Sequence, residues 1–141
     1  MGSYKPSRLW EVLETFGVRP KKGLSQNFLI DGNIIRKIVE LADVQPGELI
    51  LEIGPGPGAL TAALLEAGAR VVAVEKDDVL SAALPEIMER MLGWTADAVA
   101  ERLEVFHQDV MDFPVEEVLR SRLEAGNKAK VVANLPYQLT S

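Results

Sequence analysis

Length, composition and charge place the chain among single globular domains. It has 141 residues, of which 48% are hydrophobic and 26% charged, enough for a sizeable core. The absence of cysteine excludes disulfides and thiolate metal sites and suits a reducing cytoplasm, and a single histidine argues against a multi-histidine metal site. No apolar run approaches the roughly 20 residues that span a bilayer, and the first residues do not lead into a signal peptide. We therefore expect a cytoplasmic protein with no membrane segment and no metal.

The charge is unevenly distributed along the chain. A net charge of −6 argues against nucleic-acid binding if the chain is taken as a whole. Up to Leu24, however, basic residues outnumber acidic ones, and a basic arm on an acidic body could contact a phosphate backbone. A solvated charged segment explains the same pattern, so both interpretations stay open.

The predicted elements alternate between helices and strands. A helix from about Ser7 to Phe16 and a loop to Leu29 form a first unit, residues 1–30. In the second unit, residues 31–141, Asp31 caps a helix that ends near Ala42. Apolar runs predict buried strands at Leu49–Ile53, Arg70–Val74, Leu103–Phe106 and Val131–Ala133. Further helices are expected at Ala59–Ala67, at Asp77 to about Leu92 with a break or kink at Pro85, and from Pro114 to about Glu124, and a short one between Gly93 and Arg102.

This alternation predicts an α/β fold with a mostly parallel, Rossmann-like sheet. The sequence stops just after the fourth strand, where a doubly wound domain would be about half built and one sheet edge would be exposed. We therefore expect the chain to be a fragment of a longer protein.

A glycine-rich turn follows the first strand and an acidic residue ends the second. Gly54, Gly56 and Gly58 allow close approach of backbone to a ligand, and Glu75, 19 residues after Gly56, could accept bonds from ribose hydroxyls. The glycines fit both the dinucleotide fingerprint and the methyltransferase form, so they do not choose between NAD and S-adenosylmethionine. Pro55 and Pro57 lack the N–H donors that a pyrophosphate needs, which favours the sulfonium cofactor.

Asp109 follows the third strand and would lie at the same sheet edge. It is predicted either to accept the adenine amino group of the cofactor or to cap a turn. We assign no role to His107 and Asp112, which are expected to be exposed loop residues without a partner.

Asn134-Leu135-Pro136-Tyr137 follows the fourth strand. Pro136 makes the segment a rigid elbow that presents an amide, two carbonyls and an aromatic ring. These are the groups that would accept the two N–H bonds of an exocyclic amine and stack on its base. Taken alone, the tetrapeptide could instead be a structural turn with a half-buried tyrosine and no role in binding.

Taken together, Gln26-Asn27-Phe28-Leu29, Glu52 to Thr61, Glu75, Asp109 and Asn134 to Tyr137 give the chain a close resemblance to the ribosomal RNA adenine N6-dimethyltransferases. The resemblance covers nearly all of the chain from Lys21 onward. Within the family it is closest to the small-subunit enzymes, whose loss is associated with kasugamycin resistance. Ser25, where those enzymes usually have glycine, is more like the large-subunit methylases, and the stretch between Glu75 and Asp109 is longer than usual.

The resemblance implies a class I S-adenosylmethionine-dependent methyltransferase that acts on two adjacent adenosines of small-subunit ribosomal RNA, with the pre-ribosomal small subunit as partner. It assigns catalytic roles to Asn134, Leu135, Pro136 and Tyr137, and cofactor binding to Gln26, Asn27, Leu29, Gly54, Gly56, Gly58, Glu75, Asp109 and Asn134. The family's remaining strands and helical domain would lie beyond Ser141, so we expect the 141-residue stretch alone to be inactive on RNA.

Three alternatives remain at this point. A large-subunit methylase of the macrolide-resistance type is compatible with Ser25. A nicotinamide-dependent oxidoreductase is compatible with the glycines and Glu75. A non-catalytic ribosome-assembly or transcription factor could keep the same fold.

Overall fold

The computed structural model describes residues 32–124 and 127–133. The predicted basic helix and loop of residues 1–30, the Asp31 cap and the segment Asn134 to Tyr137 lie outside the described residues. None of the described helices combines the length and apolar character needed to cross a bilayer.

The described elements follow the order predicted from the sequence. The helices are α1 (Gly32–Ala42), α2 (Ala59–Glu66), α3 (Asp78–Leu92), α4 (Ala96–Arg102) and α5 (Val115–Arg122), with a short 3-10 turn at Val110–Asp112. The strands are β1 (Leu49–Ile53), β2 (Arg70–Glu75), β3 (Leu103–His107) and β4 (Lys130–Ala133). Most bounds agree with the predicted ones within two residues, because glycine, proline and capping residues mark the ends of these segments.

The four strands form one parallel sheet in the order β3-β2-β1-β4. The α/β fold with a parallel sheet is therefore confirmed. In the described part of the chain β4 pairs with β1 alone and occupies one edge, where Val131 is 58% exposed.

Two apolar cores cover the two faces of the sheet. Alternate residues of the central strands point to opposite faces, so Ile50 joins the core beneath α1 to α4 whereas Leu51 joins the core beneath α5 and Phe113. This burial on both faces explains why the strands appear in the sequence as continuous apolar runs. The parallel pairing of the strands places their carboxyl ends at a single edge.

Of the two outcomes predicted at Pro85, a break or a kink, the break does not occur. The helix α3 runs without interruption from Asp78 to Leu92, with Pro85 inside it. An internal proline costs about 3 kcal/mol in a free helix because it lacks an N–H and crowds the preceding turn. Here Leu84, Ile87 and Met88 are fully buried around it, and their packing outweighs that cost.

Arg102 joins the end of α4 to the amino-terminal ends of the strands, away from the edge formed by their carboxyl ends. Its guanidinium donates from Nε to the Ala69 carbonyl at 3.0 Å and from Nη2 to the Leu65 carbonyl at 2.9 Å. It also lies over the Trp94 ring at 5.3 Å from the centroid. The Leu65 carbonyl near the end of α2 also accepts from the Gly68 N–H at 3.0 Å, so Arg102 is its second donor, and the Ala69 carbonyl directly precedes β2.

Candidate active site

The register of the parallel sheet aligns the strand ends at one edge. Ile53 pairs with Val74 on one side and with Ala133 on the other, and Glu75 pairs with His107. The glycine turn after β1, Glu75 at the end of β2 and Asp109 after β3 therefore share this edge. Ligands of open α/β sheets bind at this kind of edge, outside the carboxyl ends of the strands.

The N–H groups of the glycine turn are occupied within the protein. Gly54 donates to the Val74 carbonyl at 2.9 Å, Gly56 to the Glu75 carboxylate at 2.9 Å, and Gly58 to the Pro55 carbonyl at 3.0 Å. All three glycines have positive φ, between 55° and 97°. Since the intervening prolines have no N–H, residues 54–58 contain no donor left over for a phosphate.

Gly58 has a packing role that the sequence did not reveal. It precedes α2, and a Cβ atom built on it would lie 2.6 Å from Met88 Cε and 2.7 Å from Leu84 Cδ1. A side chain at this position would require the ends of the Met88 and Leu84 side chains to move, so glycine favours the close packing of α3 against the turn.

Glu75 organises the turn and the beginning of α3. Its side chain is almost fully buried, with Oε1 accepting from the Gly56 N–H at 2.9 Å and Oε2 accepting from the Asp77 N–H at 3.0 Å. Asp77 in turn caps α3 by accepting from the Leu80 N–H at 2.9 Å. Each oxygen of a carboxylate has two lone pairs, so Glu75 keeps acceptor capacity for a ligand's hydroxyl groups.

Asp109 adopts the capping geometry that was one of its two predicted roles. Its Oδ1 accepts from the Met111 N–H at 2.9 Å at the start of the 3-10 turn, and the residue is exposed. Neighbouring Gln108 donates its N–H to the Glu75 carbonyl at 3.1 Å, which ties this loop to the end of β2. A cap does not prevent the second carboxylate oxygen from binding a ligand.

The expectation that His107 lies in a loop without a partner is wrong. His107 is the last residue of β3, and its Nε2 lies 3.1 Å from the Lys76 carbonyl oxygen. This contact depends on the pairing of β2 with β3, which brings residues 31 positions apart together.

Glu52 is a buried acidic residue of this region to which the sequence analysis gave no role. It is 0% exposed, its Oε1 accepts from the Thr61 hydroxyl at 2.5 Å, and its Oε2 has no hydrogen-bond partner in the described structure. Burial raises the pKa of the Glu52 carboxyl to about 7; the Thr61 bond opposes this rise and the Glu75 charge adds to it. A charged residue inside the apolar run Leu49–Ile53 was the available signal.

The structure thus brings together five of the predicted cofactor-site residues, Gly54, Gly56, Gly58, Glu75 and Asp109. The other predicted site residues lie outside the described residues, namely Gln26, Asn27, Leu29, Asn134, Leu135, Pro136 and Tyr137. Their roles stay predictions.

Comparison with known proteins identifies the family. A family model described as ribosomal RNA adenine dimethylase matches residues 17–141. The chain belongs to this family. The resemblance deduced from the sequence motifs is thereby confirmed.

Individual members of the dimethylase family and related proteins agree with this membership. Ribosomal RNA small subunit methyltransferase A of Protochlamydia amoebophila (strain UWE25) is 57% identical over 141 residues, which are all of this chain and 46% of that protein. The solved structure of 23S rRNA methyltransferase ErmE matches with a TM-score of 0.56 and 25% identity, over 78% of this chain and 38% of that one. A dimethyladenosine transferase from Plasmodium falciparum matches with a TM-score of 0.53 and 25% identity, over 78% of this chain and 34% of that one.

These structural matches confirm the Rossmann-like methyltransferase fold. The chain spans a little less than half of the length of the curated relative that it matches at 57% identity.

Proposed function

We propose that the protein transfers methyl groups from S-adenosylmethionine to the N6 amine of two adjacent adenosines in small-subunit ribosomal RNA, as a step in ribosome biogenesis. The observation that carries this proposal is the 57% identity, over the whole chain, to a small subunit methyltransferase. A second small subunit methyltransferase A, from Streptomyces griseus, is 44% identical over 95% of this chain, whereas the 23S rRNA methyltransferase ErmE is 25% identical. The large-subunit alternative is therefore the weaker one.

The glycine turn fits S-adenosylmethionine better than a dinucleotide. A pyrophosphate needs free N–H groups at the turn, but those of Gly54, Gly56 and Gly58 are all occupied. S-adenosylmethionine has no phosphate and carries a positive sulfonium, which suits an edge that contains the Glu75 and Asp109 carboxylates. The same reasoning disfavours the nicotinamide-dependent oxidoreductase.

Two described side chains would hold the adenosine part of the cofactor. Glu75 would accept hydrogen bonds from the ribose hydroxyls with the lone pairs that Gly56 and Asp77 leave unused. Asp109 would accept from the adenine amino group while its Oδ1 keeps the cap on Met111. The family resemblance adds Gln26, Asn27, Leu29 and Asn134 to this cofactor site.

The proposed chemistry is a direct displacement in which the bound cofactor supplies an activated methyl group. The Asn134 amide oxygen and a neighbouring main-chain carbonyl at Leu135 or Pro136 would accept the two hydrogens of the adenine amine. This would free the nitrogen lone pair, while Tyr137 stacks on the base. Positioning and exclusion of water would supply most of the rate acceleration, so no strong base is required.

The proposal also includes a partner and a cellular location. The substrate would be presented by a pre-ribosomal small subunit in the cytoplasm. The acidic body is a poor surface for a phosphate backbone, so we assign the phosphate contacts of this chain to the basic segment that ends at Lys22.

Calorimetry tests the cofactor assignment. S-adenosylmethionine should bind and NADH should not, and Glu75→Gln should weaken the binding by on the order of 1–3 kcal/mol through loss of charge-assisted bonds to the ribose. Glu101→Gln, an exposed change on α4, is the matched control and should leave the affinity unaltered. Equal affinities of the Glu75→Gln variant and the unchanged protein would contradict the role of Glu75.

A methyl-transfer assay tests the RNA assignment. Tritium from labelled cofactor should appear in small ribosomal subunits lacking the two dimethyladenosines and not in large subunits. Transfer to large subunits alone would establish the large-subunit alternative instead.

A further inference from the structure

The Glu52 carboxyl lies in an environment that is unfavourable for a charge. Ile50 and Glu52 of β1 face the core that α1, α2 and α3 cover, and Glu52 is fully buried there. One of its oxygens accepts from Thr61 at 2.5 Å and the other has no partner in the described structure. Leaving a buried carboxylate oxygen unpaired is costly, and a leucine would fill the same space without that cost. Core packing alone therefore does not account for a glutamate at this position.

Glu52 lies beside the proposed cofactor site. It precedes Gly54 by two residues on β1, and Thr61 belongs to the first turn of α2 on the other side of the glycine turn. The Thr61–Glu52 hydrogen bond therefore joins the two segments that flank the turn. The nearby Glu75 carboxylate, which binds Gly56, repels a negative charge on Glu52.

No cation faces Glu52 in the described part of the chain. Its register partners are Ala73 on β2 and Val132 on β4, and the buried residues that α1 and α3 contribute to this core are the apolar Ile35, Ala83, Leu84, Ile87, Met88 and Met91. The charged group that acts on it is Glu75, and the hydrogen-bond donor is Thr61. A positively charged ligand at the turn would be attracted by both carboxylates.

We propose that Glu52 is a positioning residue whose buried carboxyl releases its proton when a cationic sulfonium cofactor binds at the glycine turn. This inference rests on the proposed function, because it takes S-adenosylmethionine as the ligand. The released proton goes to solvent, and the carboxylate that remains holds the turn through Thr61 and balances the positive charge of the cofactor.

The proposal predicts a pH-dependent affinity of defined sign. In the free protein burial raises the pKa of Glu52 to about 7, so the carboxyl is mostly neutral at pH 6. A cation that favours the charged form lowers this pKa in the complex. By linkage, the affinity for S-adenosylmethionine should rise about five- to tenfold between pH 6 and pH 8. 5′-Methylthioadenosine, which keeps the adenosine but has neither positive charge, should bind with little pH dependence.

Three variants separate charge from structure. Glu52→Gln keeps the size and the acceptor for Thr61, and should abolish the pH dependence and weaken S-adenosylmethionine about tenfold at pH 8, while leaving 5′-methylthioadenosine unchanged. Thr61→Val keeps the shape of the side chain but removes the hydrogen bond, and should weaken both ligands. His107→Gln removes the single histidine of the chain, and this control variant should retain the pH dependence.

Calorimetry at pH 6, 7 and 8 measures these affinities. Titrations of the unchanged protein at pH 6.5 in buffers of different ionisation enthalpy count the protons released, and do not depend on whether the variants fold. We expect binding of S-adenosylmethionine to release at least a fraction of a proton per protein molecule, and binding of 5′-methylthioadenosine to release none. No release, an unaltered pH dependence in Glu52→Gln, or equal weakening of both ligands by that change would overturn the inference. Failure of S-adenosylmethionine to bind at any pH would instead refute the proposed function.

Discussion

Replacement of Gly58 by alanine should destabilise the fold, because the added methyl group would clash with buried side chains of α3. The new Cβ would lie 2.6 Å from Met88 Cε and 2.7 Å from Leu84 Cδ1, and both side chains are fully buried. Overpacking of this kind costs about 1–3 kcal/mol. The backbone at Gly58 has φ of 97°, and a left-handed conformation costs an L-residue about 1–2 kcal/mol more. We therefore expect Gly58→Ala to lower the free energy of unfolding by about 2–5 kcal/mol.

Gly93→Ala is the matched control. Gly93 also has a positive φ, of 71°, and ends α3, but a Cβ atom built on it meets nothing within 4 Å. This change should therefore cost only the backbone contribution, about 1–2 kcal/mol. The difference between the two variants measures the packing of α3 against the glycine turn.

Urea unfolding followed by circular dichroism provides the measurement. Gly58→Ala should shift the unfolding midpoint two to three times as far as Gly93→Ala, with a similar slope in both transitions. Equal shifts would refute the packing argument, and Gly58 would then serve the turn through its backbone alone. Cofactor affinity, measured well below the transition, would separately show whether Gly58 also contributes to binding.

Two further predictions concern stability. Because the pKa of Glu52 rises from 4.5 to about 7 on folding, its ionisation opposes folding: the penalty is absent below pH 4.5 and grows as the pH rises to 7. The free energy of unfolding of Glu52→Gln, relative to that of the unchanged protein, should therefore increase by about 2 kcal/mol from pH 5.5 to pH 8. Urea titrations that give the same difference between the two proteins at both pH values would contradict this. Arg102→Lys should lower the free energy of unfolding by about 1–2 kcal/mol in the same assay, because a lysine ammonium cannot replace the planar guanidinium that binds the Ala69 and Leu65 carbonyls together. Arg90→Lys, in an exposed helical ion pair, is the control and should cost less than about 0.5 kcal/mol.

The sequence by itself determined the order and bounds of the described elements. Strands that are buried on both faces must be apolar throughout, so runs such as Leu49–Ile53 are visible without any structure. Glycine, proline and capping residues marked the ends of segments, because glycine tolerates a positive φ and proline does not continue a helix or strand. The family could be predicted because several local patterns of residue types occur together and in order, namely Gln26 to Leu29, Glu52 to Thr61, Glu75, Asp109 and Asn134 to Tyr137.

The tertiary structure decided what depends on contacts between distant residues. It set the strand order β3-β2-β1-β4. It also allowed α3 to continue through Pro85, because burial of Leu84, Ile87 and Met88 outweighs the free-energy cost of a proline inside a helix. It also brought His107 to the Lys76 carbonyl. None of these contacts has a signature in the neighbouring residues.

Glu52 and Gly58 show the same limit within the candidate site. A glutamate in an apolar strand is visible in the sequence, but only the packing of α2 against β1 shows that it is fully buried with one oxygen bound to Thr61. Similarly, the third glycine of the turn matches a ligand-binding pattern, but only the close approach of Met88 and Leu84 from α3 shows that a side chain there would force its neighbours to move. Burial and steric exclusion are properties of the assembled chain, so only the tertiary structure could assign these two roles.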